Sequence, residues 1–314
     1  MPEVVSSFKQ FSFDDRITAA LDQLSFKTPT PIQAQGIGPI LEGRDILGLA
    51  RTGTGKTAAF ALPIIQDLLR YDDHSTRAVV IAPTRPLARQ IGDMFEQLAQ
   101  NTSLRTGVVY GGTSRCEQLD QIRHGVDVLV GTPGRLADFA TSGQINLDQV
   151  RFLVIDEVDA ILSQGYLEHV LSSVDCLPDR CRQTLMFSAT LPEQVEHLVA
   201  KLTNQAVRIE IDLDRPLETI EHIAIIVPRS EKMGLLKNIL AGIEGASLVF
   251  VSSRGGAEFV GRHLIEAGLR SAYLHAEMPQ PNREWTVEVF RKGLIDTLVS
   301  TDLLGRGFDL PELA

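Results

Sequence analysis

The stretch Ala50-Arg51-Thr52-Gly53-Thr54-Gly55-Lys56-Thr57 constrains this chain more than any other. Before it runs Asp45-Ile46-Leu47-Gly48-Leu49, which reads as a buried strand, and after it Ala58 to Leu69 reads as a helix. A strand that turns through glycines into a helix aims successive backbone N–H groups at one point, at the positive end of the helix, which suits a polyphosphate. In such a loop Lys56 carries a mobile charge to the β- and γ-phosphates, and the Thr57 hydroxyl offers a ligand to Mg²⁺. The general phosphate-loop pattern has glycine where this chain has Ala50. Taken alone, the loop therefore also reads as a plain glycine-rich turn, and its partners elsewhere in the chain must decide.

Composition sets the frame for those partners. The 314 residues suit two α/β domains of roughly 150 residues each. Hydrophobic residues make up 44% and charged residues 22%, and no apolar run approaches the roughly 18 residues of a membrane span. The segment Met1 to Ser7 has no signal or transit pattern, so an intracellular site, nuclear or cytoplasmic, is expected. Cys116, Cys176 and Cys181 have no zinc spacing and read as reduced structural thiols. A net charge of −10 excludes binding of nucleic acid by a generally basic surface, so any such site must be local.

From the N-terminus, Phe8, Phe11 and Phe13 lead into Ile17, Ala20, Leu21 and Leu24, at helical spacing. Phe26-Lys27-Thr28-Pro29-Thr30-Pro31-Ile32 then forms an extended turn that sets Gln33 at the start of an apolar helix, Ala34 to Leu41. Gln33 reads as a solvated helix-start residue or as a reader of adenine, since an amide can both donate and accept. Ala78 to Ala82 is a β-branched run of buried-strand length, ended by Pro83-Thr84-Arg85. The stripe Leu87, Ile91, Met94, Phe95, Leu98 marks the next helix as core packing. Further strands are Gly107 to Tyr110, ending in Gly111-Gly112, and Asp127 to Val130, ending in Gly131-Thr132-Pro133-Gly134-Arg135. Alternating strands and helices imply a parallel sheet whose ligands gather at the carboxyl ends of its strands.

The strand Phe152 to Ile155 carries Asp156-Glu157-Val158-Asp159 at that end. Adjacent acids are costly there without a cation, so Asp156 reads as holding a phosphate-bound Mg²⁺ and Glu157 as taking a proton from an attacking water. The acids alone would also suit a helix N-terminus, but the phosphate loop about 100 residues upstream favours the metal reading. Another strand, Thr184 to Phe187, ends in Ser188-Ala189-Thr190, hydroxyls that read as local caps for a helix Glu193 to Leu202 or as a coupling of Asp159 to whatever lies across the cleft. The sequence turns polar from Ile209 to Thr219, which marks a domain linker. A second α/β set follows: Ile223 to Val227, a helix Glu231 to Ile243, strand Leu248 to Val251, a helix Gly256 to Ala267, strand Ala272 to Leu274, a helix Glu284 to Lys292 and strand Thr297 to Ser300.

The phosphate loop, the Asp-Glu-Val-Asp run, Ser-Ala-Thr and a second α/β set, in this order, resemble the DEAD-box family of ATP-dependent RNA helicases. In that family the loop has the form A-x-T-G-x-G-K-T, so Ala50 fits. The resemblance implies two RecA-like parallel-sheet domains, the second incomplete: a nucleotide-reading region over 1–43, an ATP-binding domain over 44–211, a linker at 212–219 and a partial C-terminal domain over 220–314. It implies that Gln33 reads adenine, with Phe8 and Phe26 nearby, and that Thr52, Gly53, Thr54, Gly55, Lys56 and Thr57 hold the phosphates. Asp156 and Thr57 would hold Mg²⁺ and Glu157 would act as base. Ser188 and Thr190 would couple to Asp159, and Gly307 and Asp309 would meet ATP from the second domain. Pro83, Thr84, Arg85, Gly112, Thr132, Gly134 and Arg135 match RNA-holding positions in the first domain, and Arg254, Gln280, Arg283 and Thr301 match them in the second. Contacts to backbone rather than base would let an acidic protein bind RNA without sequence preference. The expected mechanism is closure of a cleft by ATP and RNA together, release of one RNA strand, and reopening on hydrolysis. A monomer is expected, with no membrane partner and with protein partners open.

Several positions depart from the family pattern. Pro86 stands in place of a Glu, Val158 of an Ala, Ser25 of a Gly, and Ala276 and Glu277 of Gly and Asp. The family's arginine-rich His-Arg-x-Gly-Arg motif lies beyond Ala314, which implies a piece of a longer protein; loss of such an arginine costs about 10³–10⁵ in rate. The rival expectation is a hydrolysis-impaired ATP- and RNA-binding clamp or scaffold. A DNA translocase is a third reading, disfavoured by Gln33 and its proline-rich lead.

Overall fold

The structure is a computed structural model that describes residues 5–178, 182–211, 221 and 223–301. The chain divides into two compact units at Arg215 and Pro216. The first unit runs α1 (Asp15–Gln23), α2 (Pro31–Leu41), β1 (Ile46–Leu49), α3 (Lys56–Leu68), β2 (Ala78–Ile81), α4 (Arg85–Ala99), β3 (Thr106–Val109) and α5 (Arg115–Arg123). It continues β4 (Val128–Gly131), α6 (Pro133–Thr141), β5 (Phe152–Ile155), α7 (Val158–Ser163), α8 (Leu167–Val174), β6 (Gln183–Ser188), α9 (Glu193–Leu202) and β7 (Val207–Glu210).

All strand pairs of this unit are parallel, in the order β3-β4-β2-β5-β6-β1-β7. Side chains alternate between the two faces of a strand, and both faces here are covered by helices. Ala78 and Val80 of β2 enter one core with Phe60, Ile64 and Phe95, while Val79 and Ile81 enter the other with Phe139, Ile161 and Val170. That two-sided burial is why the strands read as short unbroken apolar runs.

Differences from the sequence reading are local. Ile209 and Glu210, assigned to a polar linker, are residues of β7, which pairs with β1 and buries Ile209 while Arg208 and Glu210 face out. An edge strand half open to water carries such polar alternation. The run Ile223 to Val227 forms no strand, and Ile223, Ile225 and Ile226 are exposed. The run has strand-like residues, but a strand needs a paired neighbour to satisfy its backbone. Cys116 lies exposed on α5, not packed as a structural thiol, and Cys176 donates to the Ser172 carbonyl at 3.4 Å; Cys181 lies outside the described residues.

The second unit runs α10 (Lys232–Ala241), β8 (Ser247–Phe250), α11 (Arg254–Glu266), β9 (Ser271–Leu274), α12 (Gln280–Arg291) and β10 (Thr297–Ser300). Its sheet is parallel, in the order β8-β10-β9, with a small core on each face. Phe250, Phe259, Trp285 and Leu294 are exposed in this unit. No helix among the described residues is long and apolar enough to cross a membrane.

Candidate functional site

In the first unit β1 to β6 each deliver a motif at the carboxyl end, and the strand order sorts them. β5, β6 and β1 are neighbours and end in Asp156, Ser188 and the phosphate loop. β3, β4 and β2 are neighbours and end in Gly111-Gly112, Thr132-Pro133-Gly134-Arg135 and Pro83-Thr84-Arg85.

On the first half, Gly55 takes φ +90° just before α3, a left-handed conformation that glycine adopts without steric cost. The turn is also closed by Thr54, whose hydroxyl donates to the Arg51 carbonyl at 2.7 Å. Lys56 is buried, and its Nζ donates to the Ala50 carbonyl at 3.1 Å and lies 3.9 Å from Asp156 Oδ1. Thr57 is half-buried beside it, while Thr52 and Gly53 are exposed at the turn. Gln33, 4% exposed, ties this loop to α2: its Nε2 donates to the Gly55 carbonyl at 3.0 Å and its Oε1 accepts from Thr30 N at 2.9 Å. One N–H and one lone pair of the amide are not used in those bonds, so adenine recognition by the same amide is chemically open. Phe26 is half-buried and stacks on Phe8, with centroids 6.5 Å apart. Phe8 is buried in the core and stands behind Phe26.

Asp156 accepts from Glu157 N at 2.9 Å. Burial raises its pKa above the ordinary carboxylate value, a tendency that Lys56 opposes. Glu157 has left-handed backbone, φ 49° and ψ 55°. A residue with a side chain in that region costs about 1–3 kcal/mol and persists where its surroundings impose it, most often at functional sites. Asp159 receives both hydroxyl-bearing residues of β6's end: Thr190 Oγ1 donates to its Oδ2 at 2.7 Å, and its own N donates to Ser188 Oγ at 3.3 Å. Ser188 in turn donates to the Thr190 carbonyl at 2.7 Å. These bonds tie Asp159 to the end of β6, and neither hydroxyl caps α9, whose N-cap is Pro192. No group of three or more His, Cys, Asp or Glu residues suited to a metal occurs among the described residues. A carboxylate and a hydroxyl are nonetheless hard oxygen ligands, and Mg²⁺ keeps waters and phosphate oxygens as its remaining ligands, so Asp156 and Thr57 fit that ion.

On the second half, Thr84 caps α4, accepting from Leu87 N at 3.4 Å, so Pro83 and Arg85 flank a helix N-terminus. Gly112 has φ +80°, and a Cβ there would stand 2.3 Å from Arg85 Nη2, so the guanidinium lies flat against the glycine. Thr132 stands at the N-terminal boundary of α6 without a side-chain cap bond, and α6 carries Pro133, Gly134 and Arg135 in its first turn. Arg135 donates from Nη1 to Gln118 Oε1 at 2.7 Å and from Nη2 to the Thr113 carbonyl at 3.2 Å, over the ring of Phe139. Sequence reasoning misses Gln118, because Leu119 and Ile122 are too few apolar residues to mark the buried face of α5 on which it lies.

In the second unit Arg254 opens α11 and pairs with Glu277, Gln280 opens α12, Arg283 lies half-buried on α12, and Thr301 follows β10. Gly307 and Asp309 lie outside the described residues.

The DEAD/DEAH box helicase family matches residues 30–198, and the helicase conserved C-terminal domain matches residues 231–314. Among similar proteins, the ATP-dependent RNA helicase DBP3 of Debaryomyces hansenii is 33% identical over 98% of this chain and 59% of its own length. The ATP-dependent RNA helicase DeaD of Haemophilus influenzae is 34% identical over 98% of this chain and 50% of its own length. The chain thus spans about half the length of the curated relatives it matches. Saccharomyces cerevisiae Dbp5, solved with RNA and ADP BeF3, superposes with a TM-score of 0.82 at 25% identity, over 98% of this chain and 78% of that one. A DEAD box protein from the hyperthermophile Methanococcus jannaschii gives 0.64 at 29% identity, over 97% and 82%. The family match covers more than half of the chain and falls on the residues just described, so this protein, built from two RecA-like parallel-sheet units, belongs to the DEAD/DEAH box helicase family.

Proposed function

We propose that this chain is the motor portion of an ATP-dependent RNA helicase, coupling ATP hydrolysis to local unwinding of RNA or remodelling of its complexes. The observation that carries the reading is the sorting of one sheet edge into two halves. One gathers Lys56, Asp156, Glu157 and Gln33, and the other gathers Arg85, Gly112 and Arg135.

Each residue has a task on this reading. Gln33 meets the adenine edge, with Phe26 beside it. The N–H groups after Gly53 and Gly55 cradle the phosphates, and Lys56 exchanges the Ala50 carbonyl for a phosphate oxygen. Thr57 and Asp156 hold Mg²⁺, which when bound neutralises charge on the phosphates. Glu157, buried next to Asp156 on left-handed backbone, accepts the proton of the attacking water. Thr190 and Ser188 fix Asp159, so a change at the acid run is felt at the end of β6. Arg85, Arg135 and the turn at Gly112 grip RNA phosphates and sugars, with Arg254, Gln280, Arg283 and Thr301 as the second unit's contribution. Single-stranded RNA is the substrate surface, and protein partners remain part of the proposal: a relative, Dbp5, has been solved bound to Gle1.

The deciding test is ATP turnover with and without single-stranded RNA, on this chain and on one extended through the family's arginine-rich motif, with the variants made in the chain that turns over ATP. Lys56→Ala is expected to lose nucleotide binding, and Glu157→Gln to keep nucleotide while turnover falls at least about 100-fold, the lower range for a general base. RNA-independent turnover, or turnover unchanged in both variants, sinks the reading.

A further inference from the structure

Gln118 has no task in the reading above, yet it joins the pieces of the RNA half. It is 7% exposed on the inner face of α5. Its Nε2 donates to the Tyr110 carbonyl at 3.2 Å and to Thr113 Oγ1 at 2.5 Å, so it clasps both ends of the turn that contains Gly111 and Gly112. Its Oε1 accepts from Arg135 at 2.7 Å, and Arg135 reaches the Thr113 carbonyl of the same turn. The turn is braced from a third side, because Arg89 donates from Nε to the Tyr110 hydroxyl at 2.7 Å. Arg89 lies one turn along α4 from Arg85, whose guanidinium covers Gly112.

The chemistry at this point is selective. A guanidinium can only donate and a backbone carbonyl can only accept, so the side chain between them must do both. A carboxylate would repel the carbonyl, and an apolar side chain would leave both groups without their partner. The two neighbours also fix the orientation of the amide.

We propose that Gln118 is a positioning residue for RNA binding: it holds the Arg135 guanidinium and the Gly111-Gly112 turn in one arrangement before RNA arrives. Two groups that must grip one phosphate backbone then lose little freedom on binding. The inference rests on the assignment of Arg135 and Gly112 to RNA.

The test uses the full chain, a labelled single-stranded oligouridylate, and the variants Gln118→Leu, Arg135→Ala and their combination. Gln118→Leu is expected to raise the half-saturating RNA concentration about tenfold, the scale of a buried polar group left unmatched. The half-saturating ATP concentration should stay within about twofold, a split that general damage to the fold would not give. On an Arg135→Ala background the leucine should add less than about twofold, since the residue it positions is gone. RNA affinity within twofold of the unaltered chain, full additivity with Arg135→Ala, or a parallel rise in both constants overturns the proposal. Gln118→Met, close in length and volume, carries the same comparison should the leucine variant melt early. An unaltered chain that fails to bind the oligonucleotide removes the RNA reading and this inference together, whereas normal binding with an unaffected variant removes the inference alone.

Discussion

Gly55 and Gly112 share left-handed backbone and a covering side chain, but they belong to opposite halves of the sheet edge. A Cβ on Gly55 would stand 2.5 Å from Gln33 Nε2, and one on Gly112 2.3 Å from Arg85 Nη2. Any L-residue in that region costs about 1–2 kcal/mol before the clash is counted. Gly55→Ala should therefore weaken binding of a fluorescent nucleotide at least about tenfold, while Gly112→Ala should weaken RNA binding by a similar factor and leave nucleotide affinity within about twofold. Parallel titrations of both ligands on both variants check this; equal effects on the two ligands would contradict the division of the edge. Residues such as Lys56, Asp156 and Glu157 are legible in sequence because phosphate chemistry demands particular groups at fixed offsets from a strand and a helix. Gln118 and Arg89 are not, because they act on other side chains and their spacing follows from how α4 and α5 pack.

Among the elements, α1 offers the clearest test of local stabilisation. Asp14 caps it, accepting from Arg16 N at 3.0 Å, and pairs with the Arg16 side chain. The Arg16 side-chain hydrogen bond, then the backbone bond, lowers the Asp14 pKa from 3.8 to about 2. A carboxyl whose folded-state pKa is depressed stabilises above its unfolded pKa and loses that contribution as pH falls through its folded pKa. Asp14→Ala should thus cost about 1 kcal/mol at neutral pH, the usual worth of such a cap, and the cost should vanish between about pH 4 and pH 2. Urea melts of the two proteins across that range measure it; a difference independent of pH would remove the carboxylate from the account. The same element was legible because Ile17, Ala20 and Leu21 repeat at helical spacing, and the strands were legible because both sheet faces are buried. α5 was not, since Leu119 and Ile122 are too few apolar residues to make a stripe. The last two residues of β7, Ile209 and Glu210, read as linker because half of that strand faces water, and Ile223 to Val227 reads as a strand on residue type alone.

Over the whole chain a net charge of −10 coexists with a proposed polyanion site. Reconciling the two requires few, local cations: Arg85 and Arg135 in the first unit, Arg254 and Arg283 in the second. Each neutralised phosphate of a single strand contributes about 0.7 to the fall of log affinity with log salt, so a slope near −3 is expected for four such contacts. Arg135→Gln should make it shallower by about 0.7, and a slope beyond about −6 would mean a basic surface that this assignment misses. The two-domain architecture followed from alternating strands and helices, but the strand order did not, because which strands become neighbours depends on crossovers that no local pattern encodes. That order has a practical side. The candidate motifs of the first unit lie at the carboxyl ends of its strands, and the opposite end of that sheet is closed by Arg77 and Arg151 around Tyr71 and by their bonds to Asp73 and Asp67. The segment 142–149, between α6 and β5, buries Ile145 and Leu147 in the core and leaves Asp148 and Gln149 exposed just before β5. A fluorophore attached at Asp148 or Gln149, rather than inserted among the buried residues before them, would report on the protein from the end of the sheet opposite the candidate site.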